Sequence, residues 1–362
     1  MSPKRDSSRG PFPPKAERAY LEFCRKYPEQ VIMSHESSVM EGFEYLFSIG
    51  LSFPGAGTKS SRMKMLKERL STFSTGKGKI FSILSMMKIF PKLFKGLKRG
   101  YRDLTPYLQE IEKSTFKHKN SQIPALNNVL WEELNQYAEK KWGIIKIGFT
   151  ELPSELIFKN KIVLFRYALV FIQEMAKDKI DQAPLSAAGR EVMKVYATMG
   201  QAVNDIARWL RKKGIRCQSN HPLGGLTCTP PLAGKAGLGW QGRHGMLITP
   251  EFGPRQRIAP IFIEEKVFNF TENSNHKWIE EYCKTCGSCQ KDCPTGAIQE
   301  KKRIKIDNIA GIGAMRTCIE REKCFPYFLK TAGCSICIKV CPFSNGIKAY
   351  EQFKALITKQ KS

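Results

Sequence analysis

Eight of the twelve cysteines stand in two groups near the C-terminus, and their spacing suits the ligands of iron–sulfur clusters. The first group spans residues 283–293 as C-x2-C-x2-C-x3-C and is followed by Pro294. The second group spans 334–341, is followed by Pro342 and has Cys324 upstream. A cubane cluster takes four soft thiolates, and a turn every third residue lets one short loop supply three of them.

The two groups predict two 4Fe–4S clusters with ligands that cross between them, because in two-cluster ferredoxins the fourth cysteine of each run binds the other cluster. A zinc site or disulfides are the alternatives, but zinc sites typically use C-x2-C pairs that stand well apart. The predicted first cysteine set is Cys283, Cys286, Cys289 and Cys341, and the predicted second cysteine set is Cys293, Cys324, Cys334 and Cys337.

The eighth ligand has two candidates, Cys318 and Cys324. We favour Cys324, because the aromatic residues around it could shield a cluster from water. Cys318 stands in a predicted helix, where a cysteine can serve as a small buried hydrophobe.

Composition limits the class of protein. A chain of 362 residues can hold two or three domains with buried cores. It has no apolar run of about eighteen residues, which a spanning helix needs. Its N-terminus shows neither an apolar signal segment nor a twin-arginine pattern. Many unpaired cysteines suit a reducing compartment, so we expect a cytoplasmic protein.

The net charge of +26, from 59 Lys and Arg against 33 Asp and Glu, indicates an anionic partner. An acidic electron donor such as a ferredoxin or flavodoxin, a tRNA and an anionic membrane are candidates, and simple solubility is the alternative. Residues 77–102 hold eight basic and no acidic residues between apolar ones. They predict an amphipathic helix that lies on a membrane surface or docks on the protein body.

Four regions follow from the pattern of the chain. Residues 1–14 form a polar, disordered tail, and residues 15–120 form a basic helical region. Residues 121–274 predict the main α/β domain, and residues 275–362 predict a ferredoxin-like domain with a C-terminal helix.

Within the α/β domain, apolar runs predict strands at 144–149, 162–165, 167–171, 246–248 and 258–263. Periodicity predicts helices at 131–142 and 196–213, the second ending at Gly214. A further helix is predicted from Ile347.

A glycine-rich stretch at 232–245 lies in the centre of this domain. Gly237, Gly239, Gly242 and Gly245 would let the backbone approach a large flat ligand closely. Residues 237–242 partly match a dinucleotide fingerprint, but that motif must follow a strand and open a helix. The preceding Thr-Pro-Pro-Leu and the later glycines and prolines do not fit that context.

The chain resembles the corrinoid-dependent iron–sulfur reductases, which include reductive dehalogenases and epoxyqueuosine reductase. The resemblance rests on residues 236–240, on 242–255 (Gly-Arg-His-Gly-Met-Leu-Ile-Thr-Pro-Glu-Phe-Gly-Pro-Arg) and on the two cysteine groups in order. It covers about residues 125–345 and is closer to the dehalogenase side. It implies an α+β protein in which a nitroreductase-like α/β corrinoid-binding domain precedes a bacterial ferredoxin-like two-cluster domain.

The resemblance also implies a bound cobalamin and roles for particular residues. Cofactor-binding residues would be Gly237, Gly239, Trp240, Gly242 and His244. Tyr196 occupies the position of a catalytic tyrosine and would donate a proton, with Arg243 as the cation that lowers its pKa or as an anchor for an anionic substrate. The alternative for Tyr196 is a packing residue at a helix start.

Two departures from the family limit this comparison. Residues 220–230 hold no carboxylate, so the acid expected of an epoxyqueuosine reductase is missing. His221 resembles the ligand in a His-on cobalamin motif but lacks the partner aspartate, and a bystander role is favoured. Cys217 and Cys228 are predicted to be structural. We therefore expect an oxidoreductase of the dehalogenase type, with a tRNA-modifying reductase and a non-enzymatic electron carrier or corrinoid reactivator as alternatives.

Overall fold

The computed structural model describes residues 15–36, 38, 127–222, 225–299 and 333–359, with isolated positions between 91 and 103 and between 319 and 331. Its helices are α1 (Lys15–Lys26), α2 (Asn128–Trp142), α3 (Lys177–Ile180), α4 (Ser186–Lys212), α5 (Thr229–Lys235), α6 (Trp278–Cys286), α7 (Ser288–Lys291), α8 (Ile336–Lys339) and α9 (Ile347–Lys359). Its strands are β1 (Ile32–Met33), β2 (Lys146–Glu151), β3 (Ile162–Val163), β4 (Tyr167–Glu174), β5 (Cys217–Ser219), β6 (Trp240–Gln241), β7 (Leu247–Ile248) and β8 (Gln256–Ile263).

A four-stranded antiparallel sheet in the order β2-β4-β8-β5 forms the centre of the main domain. Side chains alternate across a strand, so each strand feeds both faces. In β4, Ala168, Val170 and Ile172 pack with α1 and α5, whereas Leu169 and Phe171 pack with α2 and α4. Both faces of the sheet are therefore buried, which explains the nearly continuous apolar runs in the sequence.

The predicted helices and strands of this domain are confirmed, but their first and last residues differ from the predictions. The strand predicted at 144–149 lies at Lys146–Glu151, and the one predicted at 162–165 is reduced to Ile162–Val163. The predicted helix at 131–142 begins at Asn128, because the Asn127 side chain accepts a hydrogen bond from the Leu130 amide at 2.8 Å and caps it. The C-terminal helix is confirmed as α9.

The start predicted for α4 is wrong by ten residues, since the helix begins at Ser186 and not at Tyr196. Its first turns contain Ala188 and Gly189, which give a weak apolar signal although both are buried. They are small because the second cysteine loop packs there: a Cβ built on Gly333 would lie 3.0 Å from the Cα of Gly189. The predicted end is confirmed, with Gly214 at φ +84° just beyond the helix.

Helix α1 does not stand apart from the main domain, although it was predicted to belong to a separate basic region. Tyr20, Phe23 and Cys24 are buried in the same core as the sheet. The Tyr20 hydroxyl also donates a hydrogen bond of 2.5 Å to the carbonyl of Ile162. The first described helix is therefore part of the main domain.

The tail at 1–14 and most of the basic stretch at 77–102 lie outside the described residues. The few described positions near its end pack on α4. Gly96 is buried and accepts a hydrogen bond of 2.8 Å from the side chain of Asn204, and Asp103 pairs with Arg208 at 3.0 Å. Lys92 and Lys95 are exposed. Among the described helices, none is both long and apolar enough to cross a membrane.

The cysteine-rich region is docked firmly on the main domain. Trp240 and Ile248 share a core with Ile279, Phe343 and Tyr350. The buried guanidinium of Arg255 donates from Nε to the Ser344 carbonyl at 2.8 Å, and it donates to the carboxylate of Glu174 at 2.6 Å. Lys339 donates to the carbonyl of Ala183 at 3.1 Å. These contacts fix the position of the cysteine loops relative to the sheet.

Candidate iron–sulfur site

The four thiols of the first cysteine set line one opening, whose empty volume is about 280 Å³ including space open to solvent. Helix α6 ends at Cys286, and Gly287 turns the chain at φ +61° so that Cys289 follows on α7. Cys341 comes from the other cysteine group, at the end of α8. The structure thus brings Cys341 of the second group to the cysteines of the first group, as the predicted crossing of ligands requires.

Burial and mutual repulsion disfavour free thiolates in this opening. Burial raises the pKa of Cys289 to about 12, with Cys283 and Cys286 adding to the rise. Burial also raises the pKa of Cys341 well above its usual value, again with help from the neighbouring thiols. Four thiolates can share such a space only when a cationic group neutralises them, and an iron–sulfur cluster is such a group.

The second cysteine set lies next to the first. Burial raises the pKa of Cys337, and the thiols of Cys324, Cys334, Cys289 and Cys293 add to that rise. Burial raises the pKa of Cys324 to about 11, with contributions from Cys293 and Cys334. The structure therefore brings Cys324 to the second set. Cys318 lies outside the described residues.

Cys293 differs from the other ligands because its pKa is lowered. Burial alone would raise it, but hydrogen bonds from Thr295 and from the amides of Ala297 and Ile298 outweigh burial. The Ala297 amide donates to the sulfur at 3.3 Å. The turn after Cys293-Pro294 thus stabilises the thiolate form that a cluster needs.

In the described part of the chain, no group of three or more His, Cys, Asp or Glu side chains is spaced to hold a single metal ion. Ligands of one zinc ion would all have to lie about 2.0–2.3 Å from one point. The four iron corners of a cubane cluster hold their thiolates further apart.

An aromatic wall that the sequence did not reveal encloses the first cysteine set. Tyr282 packs against Phe343 and Phe353, with ring centroids 5.1 and 4.5 Å apart, and Trp278 packs on Tyr350 at 4.9 Å. Burial raises the pKa of Tyr282, with the adjacent thiols adding to the rise. The four-residue spacing of Trp278 and Tyr282 in the sequence could have indicated this wall, because it puts both rings on one face of α6.

Arg243 and His244, which lie on the turn between β6 and β7, both border the first cysteine set. The guanidinium of Arg243 donates to the carbonyls of Cys283, at 2.9 and 3.1 Å, and of Lys284, at 3.1 Å. His244 is 1% exposed, and burial lowers its pKa to about 4. Through these hydrogen bonds Arg243 braces the first cysteine loop.

The glycine-rich stretch approaches protein backbone closely, in place of the flat ligand that was expected. A Cβ on Gly239 would lie 2.1 Å from the Ile248 carbonyl oxygen, and one on Gly237 would lie 2.1 Å from that of Thr271. Trp240 is buried beside Cys341 and Phe343. These close approaches explain why Gly237 and Gly239 carry no side chain, and Trp240 packs the cysteine region onto the sheet.

Tyr196 lies in the middle of α4, beside the second cysteine set. Its half-buried ring packs in a cluster that includes Val195, Met246, Cys337 and Ile338. The guanidinium carbon of Arg257 lies 4.6 Å from the ring centroid, close enough for a cation–π contact. Arg257 is thus the arginine beside this phenol, and the sequence analysis did not single it out.

The other polar candidates are buried in the main domain. His221 is 6% exposed and packs against α4, where a Cβ on Gly200 would lie 1.9 Å from its Nε2. Cys217 is buried, burial raises its pKa to about 12, and its thiol donates to the Ala207 carbonyl. Cys228 packs against the core on the opposite face of the sheet.

Comparison with known proteins defines the class of this site. A family model described as a 4Fe-4S double cluster binding domain matches residues 282–344. That range contains every cysteine of both sets. The site is thus of the ferredoxin-like iron–sulfur type.

The relatives are more specific. Tetrachloroethene reductive dehalogenase of Desulfitobacterium hafniense is 30% identical over 197 residues, which cover 52% of this chain and 34% of that protein. Epoxyqueuosine reductase of Francisella cf. novicida (strain Fx1) is 36% identical over 121 residues, 32% of either chain. The chain is therefore a homologue of the reductive dehalogenases and epoxyqueuosine reductases, which are oxidoreductases, and it stands close to the reductive dehalogenases. It spans about a third of the length of each of these two relatives.

The fold agrees with this relationship. A solved reductive dehalogenase, described as suggesting a mechanism for B12-dependent dehalogenation, superimposes with a TM-score of 0.54 at 19% identity. The superposition covers 67% of this chain and 35% of the dehalogenase. The two proteins share a fold that combines mixed helices and sheet with a cluster region.

Proposed function

We propose that this chain is an iron–sulfur oxidoreductase that holds two 4Fe–4S clusters and delivers electrons to an organic substrate near Tyr196. The observation that supports this most is the meeting of Cys341 with Cys283, Cys286 and Cys289 around one opening. Such a crossing is the wiring of two-cluster ferredoxins. Two separate zinc sites would not need a cysteine of one group to join the cysteines of the other group.

The proposed electron path runs from the surface inward. The first set lies near solvent, because nothing lies within 4 Å of a Cβ on Gly287 at the tip of its loop. Cys289 packs with Ile298 beside Cys293 and Cys337, so the two sets are neighbours. Cys337 in turn packs near Tyr196. Electrons would thus enter at the first cluster, pass to the second and leave toward the tyrosine.

Reduction of a carbon–halogen bond takes two electrons, which the acidic donor would supply through the clusters, and releases the halogen as a halide ion. The carbanion-like carbon that remains takes one proton. We assign the proton to the hydroxyl of Tyr196. The guanidinium of Arg257 lies against the Tyr196 ring, 4.6 Å from its centroid, and helps to hold the ring in place. The proposal that the substrate is an organohalide rests on the reductive dehalogenase relatives.

A corrinoid is the further cofactor that the relatives suggest. A cobalamin would supply a strongly reducing metal centre, and the name of the solved homologue refers to B12. Among the glycines predicted to contact it, Gly237 and Gly239 lie against protein backbone, and Gly242 lies against the side chains of Ile248 and His244. We therefore derive no step through a corrinoid and place any such group on the Tyr196 side of the cysteine sets.

Anaerobic reconstitution with iron and sulfide tests the core of the proposal. Protein with two reducible clusters, followed by reduction of a chlorinated or brominated phenol or ethene, is the expected result. Clusters that form without any substrate turnover, with or without added cobalamin, would make the chain an electron carrier. Cobalamin that accelerates turnover and co-purifies at a fixed ratio to protein would place the corrinoid in the mechanism.

The proposed partner is an acidic electron donor such as a ferredoxin or flavodoxin. Lys284 and Lys291 are exposed beside the first cysteine loop, where such a donor would dock. A tRNA substrate is the second candidate, supported by the epoxyqueuosine reductase relative and the net charge of +26. Steep salt dependence of binding to a tRNA anticodon stem–loop would support it.

A further inference from the structure

A buried imidazole borders the first cysteine set without a role in the proposed electron path. His244 is 1% exposed and lines the same opening as Cys283, Cys286, Cys289 and Cys341. It lies on the turn whose neighbouring residue, Arg243, braces the cysteine loop. The imidazole is thus placed against the volume that the four thiols surround.

The backbone fixes which ring nitrogen holds the proton. The amide of Met246 donates to Nδ1 of His244 at 3.2 Å, so Nδ1 is an acceptor. In the neutral ring the proton then lies on Nε2. Nε2 is buried and has no hydrogen-bond partner among the described residues. A buried N–H without a partner is costly, so its presence beside a ligand opening indicates an acceptor that belongs there.

The surrounding residues keep the ring in place. A Cβ on Gly242 would lie 3.0 Å from Cε1 of His244 and 2.6 Å from Cδ1 of Ile248. A side chain at 242 would therefore crowd both the imidazole and the end of the Ile248 side chain. The glycine leaves room for the imidazole in this position.

We propose that His244 donates a hydrogen bond from Nε2 to a sulfur of the first cluster, either a bridging sulfide or a ligating thiolate. This inference rests on the proposed function, since it requires a 4Fe–4S cluster in the first cysteine set. Hydrogen bonds to cluster sulfurs stabilise the more negative, reduced state and raise the reduction potential. His244 is then a positioning residue that makes the entry cluster easier to reduce than it would be in an apolar pocket.

Redox titration followed by EPR tests the assignment on the reconstituted full chain. In His244→Leu, the equilibrium constant for reduction of one cluster should fall about tenfold, a shift of about −59 mV for a one-electron couple. His244→Gln keeps an N–H donor and should shift less. His276→Gln is the matched control, because both ring nitrogens of His276 already have protein partners, the Tyr350 hydroxyl and the Gly237 carbonyl. Its potentials should stay at the wild-type values.

Pulsed EPR on protein labelled with ¹⁵N-histidine gives a readout that needs no variant to fold. The reduced first cluster, which is the signal that Cys286→Ala removes, should show a weak ¹⁵N coupling through the hydrogen bond. Two full clusters without that coupling, or a His244→Leu protein with unchanged potentials, would overturn the inference while leaving the proposed function standing. Wild-type protein that assembles no cluster would contradict the proposed function and this inference together.

Discussion

The first cysteine set lies behind aromatic rings and is braced by one tight turn, whereas the second set lies against the small residues at the start of α4. The first is enclosed by Tyr282, Phe343, Arg243 and His244. The second touches the main domain through Gly333 on Gly189 and through Cys337 beside Tyr196. Aromatic and basic side chains thus surround the first set, whereas the second set lies against the main domain, where the proposed electron path leaves the clusters.

The largest expected effect comes from removing one thiolate from either set. Cys286→Ala and Cys337→Ala should each lose about half of the iron, and each should abolish a different EPR signal of the reduced protein. Iron analysis with low-temperature EPR measures this. Cys217→Ala is the control, since this buried cysteine belongs to neither set, and it should keep all its iron. Full iron content in either ligand variant would contradict the wiring.

Variants of Cys324 and Cys318 test which of these cysteines is the fourth ligand of the second cluster. Cys324→Ala should lose the same signal as Cys337→Ala, because Cys324 lies with Cys293 and Cys334. Cys318→Ala should keep both signals. The opposite pattern would exchange the two assignments.

Tyr196→Phe removes only the proposed proton donor. Turnover should fall by about 10²–10⁴-fold, the usual contribution of a positioned general acid, with both clusters intact. Tyr137→Phe removes a hydroxyl that donates to Asp205 between α2 and α4, and its turnover should be unchanged. Loss of iron or a lower melting temperature in Tyr196→Phe would identify Tyr196 as a packing residue.

Substitutions at two glycines test how tightly the loop of each cysteine set is packed. Gly287→Ala places a side chain at φ +61° with open space around it, so we expect a cost of about 1–2 kcal/mol and full iron content. Gly333→Ala adds a contact of 3.0 Å with Gly189 to a strained φ of +113°. It should cost more and weaken the second cluster selectively. Thermal unfolding and iron analysis of both variants would check this, and equal effects would remove the distinction.

The smallest expected effect is on the rate at which an acidic donor reduces the protein. The rate of reduction by an acidic ferredoxin should fall as salt rises, and Lys284→Glu with Lys291→Glu should flatten that dependence. Stopped-flow absorbance measures the rate. A rate that does not respond to salt would mean that the charge near the first loop does not guide the donor.

Local rules in the sequence predicted the cysteine wiring and most of the helices and strands. The spacing of the first cysteine group specifies its loop, and the nearly continuous apolar runs of β4 and β8 specify a sheet that is buried on both faces. The early turns of α4 were missed because Gly189 is small for the sake of a contact with Gly333, a residue far away in sequence. The contacts of Arg243 and of the glycine stretch could not be predicted for the same reason, since their partners Cys283, Ile248 and Thr271 are known only from the fold.

The exchange of Cys293 and Cys341 between the two sets has a consequence for the evolution of the chain. In the proposed protein, two clusters that each bind both cysteine groups would act as cross-links between those groups. The chain between the groups would then have fixed ends, and doubling the length of a connection with fixed ends costs only about 0.6 kcal/mol in closure entropy. Insertions between the two cysteine groups should therefore be tolerated far better than insertions inside either cysteine loop.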